Sequence, residues 1–208
     1  MAPGEPFSQR RIGLTGGIAS GKSSVGHWLA QQGLPVLDAD QFAREALTPG
    51  SPATTSVMQR YGAKVQAEEG AAVDRAALGR IVFHDAAERR WLEQLIHPIV
   101  RERFDQALSL HADTPAVVLM IPLLFEAGLE SLCSEIWLVD CDESQQLERL
   151  ITRDGLSPEA AQARIAAQWP LSRKRVLADH VIANRGQPGA WKTQAMGLLN
   201  ATGAADPC

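Results

Sequence analysis

Five stretches of the chain are apolar almost without a break, and between them apolar residues return at helical spacing. RRIGLT (residues 10–15) and LPVLD (34–38) are the first two. PAVVLMI (115–121) and SEIWLVD (134–140) are longer, continuous runs of the kind a strand shows when a parallel sheet buries both its faces. HVIA (180–183) is a short last strand. The helix after the first strand is predicted from Lys22 to about Gln32, ended by Gly33 and Pro35. Residues 39–111, rich in Ala, Arg, Glu and Leu, carry few turn signals beyond the run from Thr48 to Pro52 and the pair Glu69-Gly70, and read as several helices. DESQQLERLITRD forms a helix with Asp142 as its cap; then Ser157 caps and Pro158 opens another that reaches Gln168. Strands alternating with helices predict an α/β fold, a doubly wound parallel five-stranded sheet with right-handed crossovers. The helical stretch is inserted after the second strand.

With 208 residues, 45% of them hydrophobic, the chain is long enough for one sizeable core with small appendages. A formal net charge of −4 lacks the basic excess of a nucleic-acid footprint. No apolar run approaches the roughly 20 residues that span a bilayer, and MAPGEPFSQRR lacks the apolar centre of a signal peptide. The expectation is a cytoplasmic protein with neither nucleic acid nor membrane as partner, a monomer or weak homo-oligomer. Three cysteines, Cys133, Cys141 and Cys208, have no metal-type spacing and are odd in number, against a disulfide framework. Cys133 and Cys141 read as core or boundary thiols.

Candidate chemistry begins where the first strand gives way to glycines. Gly16-Gly17-Ile18-Ala19-Ser20-Gly21-Lys22-Ser23 fits G-x-x-x-x-G-K-[ST], between a strand and a helix as that pattern requires. Glycines let backbone N–H groups point inward around a phosphate, the helix start adds partial positive charge, and Lys22 reaches the outer phosphates. The Ser23 hydroxyl is the Mg²⁺ ligand. Switch GTPases, motor ATPases and small-molecule kinases share such a loop. No Asp is followed by Gly three positions on, and no Asn-Lys pair occurs, so the GTPase reading fails. Asp140 ends an apolar strand as a motor's acidic residue does, yet it also introduces a helix it can cap.

Asp38 and Asp40 lie just past the second strand, at the edge where doubly wound sheets place ligands. Phosphoryl transfer needs a group to orient or deprotonate the attacking hydroxyl, and oxygen ligands for Mg²⁺ or its waters; one aspartate can do each, Asp38 being the one for the metal. Either aspartate can instead cap the helix that follows. Transfer also benefits from arginines on a closing segment. Arg149 and Arg153 share a helix face and Arg164 sits on the next helix, in a flap-like helix-turn-helix; the other reading pairs them with Glu148 or Glu159.

Taken in order, LTGGIASGKSSV, VLDADQFAR, LEQLIHPIV, IPLLFEAG, VDCDESQQLERLITRDGLSPEAAQARIAAQ and ADHVIANRG resemble the dephospho-coenzyme A kinase family over nearly the whole chain. The loop alone is generic; DAD-x-x-AR, an internal HP and PLLFE in this order are much more specific. The resemblance implies ATP-dependent phosphorylation of the ribose 3′-hydroxyl of dephospho-CoA, the last step of coenzyme A synthesis, with Mg²⁺. It implies a P-loop kinase core over residues 1–40, 112–148 and 171–208, a helical acceptor domain over 41–111 and a lid over 149–170. ATP phosphates go to the loop from Gly17 through Ser24, with Lys22 on the transferred group. Thr15 and Asp40 lie at the 3′-hydroxyl, and Arg149 comes over the phosphates. His97, Pro98, Leu123, Leu124, Phe125 and Glu126 shape the CoA-side pocket, with a packing role open for His97 and a core role for Phe125. Asn184 lies near the adenine.

Some positions depart from the family's pattern. Ala19 stands where the family usually has glycine, which the turn accepts if φ is negative. Ser24 often stands as Thr, and Ala183 and Arg185 replace the usual Asp and Asn. The tail after Asn200 is expected to fray. Two rivals stay open: a kinase for another nucleoside or nucleotide, and a regulatory module that binds ATP and transfers nothing.

Overall fold

The computed structural model describes residues 9–67, 70 and 72–201. The chain divides into two compact units, one made of the residues up to Leu37 with those from Asp113 on, the other Asp38–Ala112. The expected acceptor domain thus starts three residues earlier than 41, and takes in Asp38 and Asp40.

The first unit holds β1 (Arg10–Gly16), α1 (Lys22–Gln31), β3 (Ala116–Met120), β4 (Glu135–Asp140), α6 (Glu143–Asp154), α7 (Pro158–Ala166), α8 (Leu171–Leu177), β5 (His180–Ala183) and α9 (Trp191–Ala201). With β2 (Val36–Asp38), the strands form one five-stranded sheet in the order β2-β3-β1-β4-β5. The β1–β3, β1–β4 and β4–β5 pairs are parallel. The run of apolar residues that predicted each strand follows from this: β3 and β4 are almost wholly buried because helices cover both faces. β1 is central, with connections leaving it toward both edges, so the segment after it emerges where such sheets bind ligands.

On one face Ile12, Leu14, Val118, Met120, Trp137 and Ile182 pack against Val25, Trp28 and Leu29 of α1 and Trp191 and Ala195 of α9. Trp28 and Trp191 meet edge to face, centroids 5.7 Å apart. Arg10 ties α9 to the sheet by pairing with Glu135 and donating to the Leu198 carbonyl (2.9 Å). Neither α8 nor α9 is among the elements expected from the sequence. Of the tail expected to fray, Ala201 still belongs to α9, and residues 202–208, with Cys208, lie outside the described residues.

Caps fall where the polar pattern puts them. Asp142 and Gln145 form a capping box on α6, and the Ser157 hydroxyl accepts from Ala160 N (3.2 Å) ahead of Pro158. The helix expected to reach Gln168 stops at Ala166.

The Asp38–Ala112 unit is helical: α2 (Ala39–Ala46), α3 (Pro52–Tyr61), α4 (Arg75–His84) and α5 (Ala86–Leu110), the last with Pro98 inside it. Val57, Val65, Val73 and Leu78 are its buried centre, walled by Leu47, Ile81, Val82, Trp91, Leu92 and Leu95. Phe42 of α2 lies edge to face on Phe104 of α5, centroids 5.1 Å apart. At the rim, Arg60 stands 4.6 Å over the Trp91 ring and donates twice to Glu88 (2.7 and 2.9 Å), which also accepts from the Tyr61 hydroxyl.

Those hydrogen bonds, Arg60 first, hold the Glu88 carboxyl at about 2 against an ordinary 4.5. A lowered folded-state pKa stabilises the fold above the unfolded value, and that contribution is lost as pH falls from about 4.5 through about 2. Thermal melts across that window are expected to fall less steeply for Glu88→Gln than for the wild type; equal slopes would show that this carboxylate carries no such linkage.

Candidate active site

The segment Gly17–Gly21 turns from β1 into α1, and its carbonyls are held from outside by side chains of α6 and of the segment after β5. Gly21 caps α1 at φ 97°, a left-handed conformation that glycine adopts without strain. Ser20 N donates to Gly17 O (3.1 Å), closing the turn. Gln146 Nε2 donates to Ile18 O (2.6 Å), and Arg149 Nη1 to Ala19 O (3.2 Å) and Ser20 O (3.4 Å). Asn184 Nδ2 donates to Ser20 O (2.8 Å). These side chains lie so close that a Cβ at Gly17 would collide with the Gln146 amide, and one at Gly21 with the Asn184 amide. The glycines are therefore demanded twice, by backbone approach and by the props behind it.

Lys22, the first residue of α1, is buried, whereas Ser23 and Ser24 are exposed on its first turn. The Ser20 hydroxyl is buried without a hydrogen-bond partner among the described residues. Ala19 has φ 58°. The condition on which the turn would accept alanine, a negative φ, is therefore not met: the turn keeps the geometry a glycine would give it, and alanine bears the Cβ strain.

Arg149 is half-buried and points its guanidinium at the loop carbonyls and at Asn184 O (3.1 Å). Arg153 pairs with Asp154 (2.7 Å), and Arg164 reaches the same carboxylate (3.6 Å), so the acid partner is neither Glu148 nor Glu159. Asn184 is itself fixed, its N–H on Asp140 O (2.7 Å). The buried Asp140 carboxylate binds Arg175 (2.9 Å) and Arg185, while Asp142 caps α6. Asp140 thus anchors two arginines and caps nothing. Arg185, one of the departures from the family pattern, has its pKa raised by that hydrogen bond.

Thr15, the last residue but one of β1, is fully buried, its hydroxyl donating to Pro122 O (3.1 Å). The same carbonyl accepts from Lys174 Nζ (3.3 Å), and that wholly buried ammonium pairs with Glu126 Oε1 (2.8 Å). Trp169 N also donates to Glu126 Oε1 (3.0 Å). Glu126 Oε2 is buried without a hydrogen-bond partner among the described residues. Gln168, past the end of α7, accepts from Ile18 N (2.8 Å). The 149–170 segment is thereby tied to the loop at both ends, by Arg149 and by Gln168.

Of the residues expected at a CoA-side pocket, Leu124 and Phe125 are in the core and Leu123 is 38% exposed. His97 and Pro98 are exposed on α5, which answers the packing alternative for His97. Asp38 caps α2, accepting from Asp40 N (2.9 Å), so the capping reading holds for it. Asp40 is exposed on the first turn. Burial pushes the Cys133 thiol up to about 12 and raises that of Cys141, as suits structural thiols. Gln146, Gln168 and Lys174 were missed in sequence. The only signal was Gln146 four residues before Leu150, a polar residue on the buried stripe of α6.

A family model described as "CoaE: Dephospho-CoA kinase" matches residues 10–189. The chain is 85% identical over 206 residues to the dephospho-CoA kinase of Synechococcus sp. (strain CC9605), covering 99% of this chain and 100% of that one. It is 62% identical over 191 residues to the dephospho-CoA kinase of Prochlorococcus marinus (strain MIT 9313), covering 89% and 93%. Among solved structures, TT1252 from Thermus thermophilus superposes with a TM-score of 0.78 at 35% identity, over 93% of this chain and 97% of that one. Dephospho-CoA kinase from Campylobacter jejuni superposes at 0.69 and 27% identity, over 92% and 96%.

Two stability outcomes follow. Ala19→Gly removes left-handed strain but loosens the unfolded chain, for an expected net gain of about 0.5–1 kcal/mol by thermal melt; a loss would show that the turn is not strained there. Lys174→Met leaves the Glu126 carboxylate buried without its cation and is expected to cost about 3 kcal/mol in urea unfolding. Adding Glu126→Gln should recover most of that cost; strictly additive losses would show that the two residues do not act as a pair.

Proposed function

The chain belongs to the dephospho-CoA kinase family, and we propose how its own residues carry that family's reaction, ATP-dependent phosphorylation of the ribose 3′-hydroxyl of dephospho-CoA to give coenzyme A. The single observation that carries the reading is the turn from Gly16 to Ser23, a left-handed glycine cap on α1 with Lys22 buried behind it and its carbonyls held from outside. Backbone N–H groups and the positive end of α1 receive the ATP phosphates, from Gly16 to Ser24, and Lys22 balances the charge that builds on the transferred group.

Mg²⁺ fits this donor set. A loose metal site on a nucleotide needs only one or two protein oxygens, the rest being phosphate and water. The exposed Ser23 hydroxyl supplies one, and Asp38 a second through water with the carboxylate oxygen that does not cap α2. When bound, the ion screens the phosphate charge. Asp40 orients and deprotonates the 3′-hydroxyl, and Thr15, held on Pro122 O near the end of β1, serves the same hydroxyl. Arg149, on the 149–170 lid, exchanges its loop carbonyls for phosphate oxygens as the lid closes and excludes water. Asn184 borders the adenine, and His97, Pro98 and Leu123 border the acceptor.

Among the described residues no helix is long and apolar enough to cross a membrane. Both substrates being small and water-soluble, the proposal has the enzyme working in the cytoplasm, as a monomer or weak homo-oligomer.

Asp40→Asn decides between catalysis and mere ATP binding. It is expected to lower kcat about 10²–10⁴-fold while leaving the affinity for ATP unchanged by calorimetry. Normal turnover with dephospho-CoA would remove Asp40 from the role of base, whereas lost ATP binding would mean that the residue serves the nucleotide site.

A further inference from the structure

Of the three basic residues in LSRKRVL on α8, one turns inward. Arg173 stands over the Trp169 ring and Arg175 pairs with Asp140 (2.9 Å), both of them exposed. Lys174 is wholly buried on Glu126 (2.8 Å), and its ammonium also reaches the Pro122 carbonyl (3.3 Å). Apolar residues of similar size often replace a buried ion pair with no loss of stability, so packing gives little reason for a charge at this position. The carbonyl it reaches has a place in the chain that explains its two partners. Ile121 N still donates to Leu14 O (2.9 Å) beyond the end of β3, but Pro122 has no N–H with which to carry the ladder on. Its oxygen instead receives two side-chain donors, Lys174 and the Thr15 hydroxyl (3.1 Å). Both bonds are longer than the usual values of about 2.9 Å from nitrogen and about 2.8 Å from a hydroxyl, as when two donors share one acceptor.

We propose that Lys174 is a positioning residue for the phosphoryl transfer: by staying on Pro122 O, it lets Thr15 turn its hydroxyl proton from that carbonyl to the 3′-oxygen of dephospho-CoA as negative charge builds there. The inference rests on the reading of Thr15 and Asp40 as the groups at the 3′-hydroxyl. Once Asp40 takes the proton of that hydroxyl, the oxygen left behind gains from a nearby donor, and Thr15 is a donor without a charge of its own. The Thr15 O–H bond stays intact throughout; only its direction changes. With Lys174 gone, the same turn would leave a buried carbonyl with no donor, a penalty that falls on the transition state and not on the binding of either substrate. Glu126 keeps the ammonium neutralised and in place, and the same carboxylate oxygen accepts from Trp169 N (3.0 Å). Lys174 thus acts through Thr15.

Because Lys174→Met alone strands the Glu126 carboxylate, the test uses the paired variant Lys174→Met/Glu126→Gln, with its fold checked by urea unfolding. It is expected to lower kcat about tenfold, with KM for ATP and for dephospho-CoA unchanged. Thr15→Val removes the donor itself and should lower kcat about 10²-fold. Adding Lys174→Met/Glu126→Gln to Thr15→Val should then cost nothing further, a non-additivity that a merely structural contribution would not produce. Wild-type kcat in the paired variant while Thr15→Val is slow, a raised KM at constant kcat, or losses that multiply in the triple variant would each overturn the role of Lys174. Full turnover by Thr15→Val would instead overturn the reading of Thr15 on which that role rests.

Discussion

In the proposed function the turn after β1 binds phosphate through its backbone N–H groups, which it then cannot spend on itself. Among the described residues it closes on itself through Ser20 N to Gly17 O. Its rigidity has to come from elsewhere, and it comes through the carbonyls: Gln146, Arg149 and Asn184 each donate into the turn from α6 and from the end of β5. Those three are in turn positioned by the sheet and by the Asp140 cluster. The order of the strands, with β4 beside β1 and β5 beside β4, is what brings these donors within reach. Without fixed donors a glycine-rich turn would sample many conformations, and each phosphate bound would have to bear the entropy of ordering it.

The strands and the phosphate turn were legible in the sequence because both are local patterns. Continuous apolar runs mark buried parallel strands wherever they pair, and G-x-x-x-x-G-K-S has its meaning within eight residues. What escaped were contacts between residues far apart in the chain. Gln146 and Gln168 touch Ile18 across 128 and 150 residues, and beyond the place of Gln146 on the buried stripe of α6 nothing local distinguishes them from surface glutamines. Lys174 looked like one basic residue among several in LSRKRVL, yet it is wholly buried on Glu126. Ala19 was to be accepted only at negative φ, yet it keeps the left-handed geometry of a glycine at φ 58°. α7 stops at Ala166, and Gln168 beyond it accepts from Ile18 N.

The second unit shows a different division of labour. Its helices are tied together by an ordinary apolar centre and by aromatic contacts, with one charged cluster around Glu88 at the rim. α2 stands apart in carrying polar residues on an exposed face directly after the sheet. Asp38 serves the helix by capping it, and Asp40 lies exposed on the first turn. Two aspartates two residues apart thus differ in position, one at the helix terminus and the other inside its first turn.

Gln168 and Ile18 share a single amide proton, and one proton makes one strong hydrogen bond at a time. The attachment of the connection after α7 and the availability of the Ile18 donor are therefore two readings of one equilibrium. Thermodynamic linkage makes the relation reciprocal: any acceptor that competes for this N–H loosens the connection by as much free energy as the intact connection withholds from the acceptor. A glutamine at the end of a short helix thereby sets an exchange rate between backbone order on one side of the turn and occupancy on the other.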